Sequence, residues 1–168
     1  MNQRKASGWS MDFTIGLLIF TLAAVLSFRI LANYGGNSPF DEVSITGNAV
    51  ASDLVGAGFP EDWTNETAIT LGLTTGNRMD IVKYEQFVDL GYTLAKKKLN
   101  SKYDFFINFQ NKTGIMNIPG IGCGFGSPSV TFGPACEPDL GDHKNLVTTR
   151  RIVILDNHLA TLYVYTWQ

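Results

Sequence analysis

Residues 12–32 read Asp12-Phe13-Thr14-Ile15-Gly16-Leu17-Leu18-Ile19-Phe20-Thr21-Leu22-Ala23-Ala24-Val25-Leu26-Ser27-Phe28-Arg29-Ile30-Leu31-Ala32, without a charge between Phe13 and Phe28. As a helix rising about 1.5 Å per residue, this stretch reaches roughly 30 Å, the thickness of a bilayer hydrocarbon core. Thr14, Thr21 and Ser27 can return their hydroxyls to carbonyls of the same helix, Gly16 is tolerated in lipid, and Arg29 can snorkel toward the headgroups. The competing reading is a helix buried in a soluble core. The spanning reading divides the chain into a basic leader at 1–11, a transmembrane or assembly helix at 12–33, a hinge at 34–40 and an extracytoplasmic head at 41–168.

Ahead of the apolar run stands Met-Asn-Gln-Arg4-Lys5-Ala-Ser-Gly-Trp9-Ser-Met, basic and free of acid. Positive charge is retained on the cytoplasmic side, so the expected topology is a single pass with the N-terminus inside and the head outside the cell. Trp9 suits the headgroup layer. Ordinary signal-peptide removal wants a shorter apolar region followed by small residues, and Arg29-Ile30-Leu31-Ala32-Asn33-Tyr34 matches it poorly.

Ser7-Gly8-Trp9-Ser10-Met11-Asp12-Phe13 resembles the processing motif of archaeal class III signal peptides, found in type IV pilins and pilin-like surface proteins. In that motif a basic leader precedes Gln-x-Ser-x-Glu-Phe and then a helix. Ser10 and Phe13 match the family's serine and phenylalanine, Asp12 stands for its glutamate, and Gly8 departs from its glutamine. The resemblance implies a prepilin-type peptidase cutting between Ser7 and Gly8. It also implies that the new α-amine of one subunit neutralises Asp12 of a neighbour as the helices stack into a filament, since a bare carboxylate at the edge of hydrocarbon is costly. The competing role for Asp12 is a helix-start acid favoured by the helix dipole. Gly58-Phe59-Pro60-Glu61-Asp62-Trp63-Thr64 is similar to a phrase of uncharacterised archaeal pilin-like proteins.

Composition leaves room for one domain beyond the helix. Of 168 residues 45% are hydrophobic and 12% aromatic, which excludes a disordered chain. A net charge of −2 gives no footprint for nucleic acid. Cys123 and Cys136 bracket a Gly/Pro-rich loop and read as a disulfide in an exported domain, stabilising by about 3 kcal/mol. Zinc held by these cysteines with His143 and His158 is the alternative, although no Cys-x-x-Cys or His-x-His spacing supports it. Asn65-Glu66-Thr67 and Asn111-Lys112-Thr113 are N-glycosylation sequons that export makes usable.

Within the head, the pattern predicts an α+β fold: an antiparallel sheet of four or five strands with short helices on one face. Tyr34-Gly35-Gly36-Asn37-Ser38-Pro39 ends the first helix. A second helix starts at Asp41 or Thr46, buries Val43, Gly47, Val50 and Leu54 and stops at Gly56-Ala57-Gly58. Phe59 and Trp63 plug the core edge. Thr67 to Leu73 alternates as a first strand, followed by a turn at Thr75-Gly76-Asn77. Two short helices follow within Val82 to Leu99, with Tyr84, Phe87, Val88 and Gly91, then Tyr92, Ala95 and Leu99, on their inner faces. Lys96-Lys97-Lys98 reads as a solvated face.

Tyr103, Phe105, Ile107 and Phe109 form a core face, with Asp104, Phe106 and Asn108 opposite. Gln110 to Gly114 turns the chain into Ile115 to Ile118. Leu146 to Leu155 and Leu159 to Trp167, reversed at Asp156-Asn157-His158, form a hairpin apolar on both faces and therefore expected to be covered on both.

Chemistry is sparse. Gly120, Gly122, Gly124 and Gly126 imitate a dinucleotide loop, but no helix follows to receive a phosphate. No Gly-x-Ser-x-Gly, His-Glu-x-x-His or Walker pattern occurs. The acidic pairs Glu61/Asp62 and Asp139/Asp142 read as solvated turns, with calcium at Glu137 to Asp142 a weak alternative. The expectation is a non-enzymatic, cofactor-free structural subunit contacting lipid and copies of itself. The alternative is an anchored ectodomain that binds a partner through Phe125, Val130 and Phe132 of the disulfide loop.

Overall fold

The computed structural model describes residues 6–34, 38–76 and 78–168, and divides into two units, Met1–Ser38 and Pro39–Gln168. The first is one helix, α1, Ala6–Tyr34. It begins six residues before Asp12, which places Asp12 in the second turn and leaves no acid in the first. The dipole's favour for a carboxylate fades beyond the first turn. Gly35 to Asn37, the centre of the expected hinge, lie outside the described residues.

The second unit is α+β. Helix α2, Pro39–Val55, starts at the proline, two residues ahead of the expected Asp41, because Pro is favoured in the first turn where its missing N–H is not needed. Val43, Gly47, Val50, Ala51 and Leu54 are its buried face. Thr67 to Leu73, expected as a strand, is not one: Thr70 bridges Phe59, and strands start later, at β1, Thr74–Thr75, and β2, Arg78–Met79. The backbone groups of this stretch are satisfied elsewhere, by Ile69 N–H to Phe59 O at 2.8 Å and Leu73 N–H to Leu54 O at 2.8 Å. Trp63 is buried and donates its indole N–H to Gly72 O at 2.9 Å, whereas Phe59 is exposed, so only one of the two aromatics plugs the core.

Helices α3, Ile81–Asp89, and α4, Tyr92–Lys98, match the predicted pair. Asp80 caps α3, accepting from the backbone of Val82 at 2.9 Å, a start signal legible in Asp80-Ile81-Val82. The lysine run is less solvated than expected. Lys96 pairs with Asp104 and Lys98 Nζ donates to Ala68 O, which leaves Lys97 exposed.

The main sheet has the order β4-β3-β9-β8, with β5 also pairing β3, and all its pairs are antiparallel. Its strands are β3, Asp104–Asn111; β4, Gly114–Ile115; β5, Phe125–Gly126; β8, Val147–Leu155; and β9, His158–Trp167. Two further short strands, β6, Thr131–Phe132, within the disulfide loop, and β7, Pro138–Asp139, just after Cys136, pair with each other. At the β8–β9 reversal, Asp156 and Asn157 both have positive φ, the two-residue turn that matches strand twist.

Phe105, Ile107 and Phe109 of β3, Leu162 and Val164 of β9, and Val153 and Leu155 of β8 join α2, Tyr84, Phe87 and Ala95 in one core cluster. The alternation of β3 is as predicted, but its opposite face is also covered. Phe106 is buried with Val130 and Trp167 in a second, smaller cluster, and Asn108 is fully buried. The β8–β9 hairpin departs in the other sense. Its second face is open at the turn end, where Ile152 is 78% and Leu159 70% exposed.

Candidate functional site

Along α1, the span Met11–Ala32 is 22 residues long and apolar enough to cross a membrane. Every side chain in it is exposed except Ala24, which is half-buried. Thr21 donates to Leu17 O at 2.8 Å, Ser27 to Ala23 O at 2.8 Å and Thr14 to Met11 O at 3.3 Å. The hydroxyls are thus satisfied inside the helix, leaving an apolar surface along the span. Asp12 and Phe13 sit exposed at one end of this span. Ser7, Gly8 and Ser10 lie in the helical backbone of α1, and their side chains are outside the described residues.

In the head, Cys123 and Cys136 are joined in a disulfide, with Cα atoms 5.2 Å apart. That removes both thiolates from any zinc site, and among the described residues no group of three or more His, Cys, Asp or Glu is arranged to hold a metal. The glycines of this loop serve packing. A Cβ on Gly124 would overlap the Phe106 ring and Ile107 O, and one on Gly126 would overlap Phe105 O, so the loop lies flush on β3 because these positions are glycine. His143, named with the zinc alternative, stacks on Trp167 at 4.8 Å between ring centroids.

The contact surface expected on this loop is mostly absent. Val130 is 8% exposed and Phe125 half-buried against the main core, leaving Phe132, 44% exposed, as the one outward member of the three. Phe132 itself leans on Phe106, with ring centroids 5.5 Å apart.

Glu61 and Asp62 line a groove of about 680 Å³ with Trp63, Asp80 and Lys83. Lys83 is 6% exposed, and its ammonium donates to Ala57 O and Thr74 O, both at 2.8 Å. The buried Lys83 side chain, held by two backbone carbonyls, ties α3 to the segments at Ala57 and Thr74. The sequence reading passed over Lys83, whose position on the buried face of an amphipathic helix was the available signal.

A second polar cluster forms where α4 meets β3. Tyr92 OH donates to Asp104 Oδ1 at 2.6 Å and Lys96 Nζ lies 2.5 Å from the same oxygen. Partial burial pushes the Asp104 carboxyl up, but the hydrogen bonds from Lys96 and Tyr92 outweigh it and hold the carboxyl below its ordinary value. Burial, then the bond to Asp104, pushes the Tyr92 phenol well up. Glu42 on α2 accepts from Tyr103 OH at 2.7 Å and from Lys102 at 3.1 Å, and these bonds lower its carboxyl. The first cluster joins α4 to β3, and the second joins α2 to the two residues just before β3.

The two sequons differ. At Asn65 the Thr67 hydroxyl accepts from Thr64 N–H at 2.9 Å, and the Asn65 N–H donates to Gln86 Oε1 at 3.1 Å. At the β3–β4 turn, Thr113 donates through both its N–H, at 2.8 Å, and its hydroxyl, at 2.5 Å, to Asn111 Oδ1.

No family model, no curated protein and no solved structure matches the chain.

Proposed function

We propose that the protein is an exported, membrane-anchored, pilin-like structural subunit, held by α1 in the bilayer or against the α1 helices of other copies, with its disulfide-bonded head outside the cell. The observation that carries this reading is the apolar surface of Met11–Ala32, exposed along its length and attached to a separate compact unit. Left in water, that much apolar surface would cost tens of kcal/mol at about 25 cal/mol per Å², so the helix requires an apolar partner. An oxidised Cys123–Cys136 pair fits a head outside the reducing cytosol.

Processing between Ser7 and Gly8 is part of the proposal, and so is the pairing of Asp12 with a neighbour's α-amine. In α1, Asp12 has left the favourable first turn and borders the apolar span, where a carboxylate gains from a cation brought by another chain. The test is membrane fractionation with mass measurement of the N-terminus. A membrane-bound chain starting at Gly8 and recovered in surface filaments is the expected result. An intact N-terminus on a chain dissolved in the cytosol overturns it.

A further inference from the structure

We propose that Asn111, and not Asn65, carries an N-linked glycan, and that its first sugars lie over the open end of the sheet, against Leu159 and Tyr163. The proposal rests on the head being exported.

Three observations meet at this point. The first is the turn itself. An Asn-x-Thr acceptor requires the threonine hydroxyl near the asparagine amide, and Thr113 supplies it, donating to Asn111 Oδ1 at 2.5 Å while its N–H donates at 2.8 Å. Both bonds land on the oxygen, so the Nδ2 that would receive a sugar takes no part in the turn, and Asn111, Lys112 and Thr113 are all exposed. At the other sequon the two residues are engaged apart from each other: the Thr67 hydroxyl is held by Thr64, through its N–H at 2.9 Å and its hydroxyl at 3.1 Å, and the Asn65 backbone by Gln86.

The second observation is the surface beside Asn111. Two shallow grooves, about 260 and 480 Å³, flank it, and Asn111, Lys112 and Leu159 line both. The first continues over Gln110, Thr161 and Tyr163, and the second ends at the β8–β9 turn. Each is open, and together they offer an apolar floor with amide and hydroxyl rims, the mixture that a sugar's C–H face and hydroxyls match.

The third is what lacks cover. Leu159 and Ile154 pair across the hairpin and Ile152 stands beside Thr161, so three apolar residues are exposed together on a sheet face whose other end is roofed by the disulfide loop. By the alternation of β3, Asn111 follows Phe109 on the α2 face, so a glycan rooted there reaches Leu159 round the strand end, along the grooves that both residues line.

The bond formed joins Asn111 Nδ2 to C1 of the first sugar. The bond broken is that from C1 to the phosphate oxygen of a lipid-phosphate-linked sugar donor. The phosphate leaves with the electron pair, and the amide proton passes to a base of the transferase.

The full chain is purified from its native host and its glycopeptides are analysed by mass spectrometry, alongside protease shaving of intact cells. The expected result is a sugar mass on the Asn111 peptide, none on the Asn65 peptide, loss of the mass in Thr113→Ala and retention in Thr113→Ser. An unmodified Asn111 on a head that external protease reaches overturns the proposal, as does a sugar on Asn65 alone. A head that protease cannot reach until the cells are broken overturns export instead. Covalent footprinting of Tyr163 and Leu159 then compares the wild-type chain with Asn111→Gln. Severalfold higher labelling in the variant is expected, and equal labelling would remove the sugars from this face.

Discussion

Gly47 of α2 faces Thr166 of β9 so closely that a Cβ built at position 47 would stand 2.6 Å from Thr166 Oγ1. The helix therefore lies on the sheet at a distance that only glycine permits, and the Thr166 hydroxyl beneath it is buried without a hydrogen-bond partner. Gly47→Ala must push α2 off β8 and β9, where it makes its packing contacts, and is expected to cost about 1–3 kcal/mol in urea unfolding. Thr166→Val removes an unsatisfied polar atom at constant shape and is expected to be neutral or stabilising by up to about 1 kcal/mol. Equal destabilisation by both substitutions would show that the hydroxyl has a partner and that the contact is not purely steric.

Asp104 gives the head a defined acid lability. Its folded-state value is held down by Lys96 and Tyr92, so the carboxylate contributes stability at any pH above its ordinary value near 3.8, and that contribution is lost as pH falls through the lower folded value. Because Asp104 is partly exposed and screened, the contribution is about 1 kcal/mol. Asp104→Asn is expected to lower stability by that amount at pH 7 and to flatten the decline of stability below about pH 4. Urea midpoints at pH 7 and pH 3 measure both, and an unchanged acid slope would place the lability on another carboxylate such as Glu42.

Which parts of this fold are readable in the sequence follows from where the partners of each segment lie. Helices α2 to α4 and strands β3, β8 and β9 carry their signal locally, in apolar spacing and turn residues. Thr67 to Leu73 alternates equally well, yet Gly72 fits against Gly58 and the end of α2, so its carbonyls and amides are taken by Trp63, Phe59 and Leu54 and not by a strand. That outcome depends on a close approach between segments far apart in sequence. The same holds for the second face of β3, whose burial is supplied by the disulfide loop, and for Val130, which reads as exposed only while the loop is imagined as protruding.

The disulfide is expected to hold the smaller cluster and not the larger one. It closes a loop with a sequence separation of 13, for which the entropic contribution is about 3 kcal/mol. Among the described residues the loop supplies Val130 and Phe132 against Phe106, while to the larger cluster it supplies the half-buried Phe125, against Phe87. Cys123→Ser with Cys136→Ser is expected to raise amide exchange at Thr131, Phe132 and Asp139 by orders of magnitude while β3 and β9 keep their protection relative to global unfolding. Uniform loss of protection would mean that the two clusters unfold as one.

The head is expected to fold without α1. Buried hydrophobic residues among the described positions run from Val43 to Trp167, and all contacts of the main cluster fall within Pro39–Gln168. Removing residues 1–38 therefore takes away no core residue, while it removes an exposed apolar span. A fragment from Pro39 to Gln168, oxidised at Cys123–Cys136, is expected to be soluble and to melt cooperatively within about 5 °C of the full chain in detergent, a shift of roughly 1 kcal/mol in a domain of this size. Calorimetry and near-ultraviolet circular dichroism make the comparison. A fragment that binds hydrophobic dye and lacks a cooperative transition would show that α1 is part of the folding unit, which would undercut its assignment to the membrane.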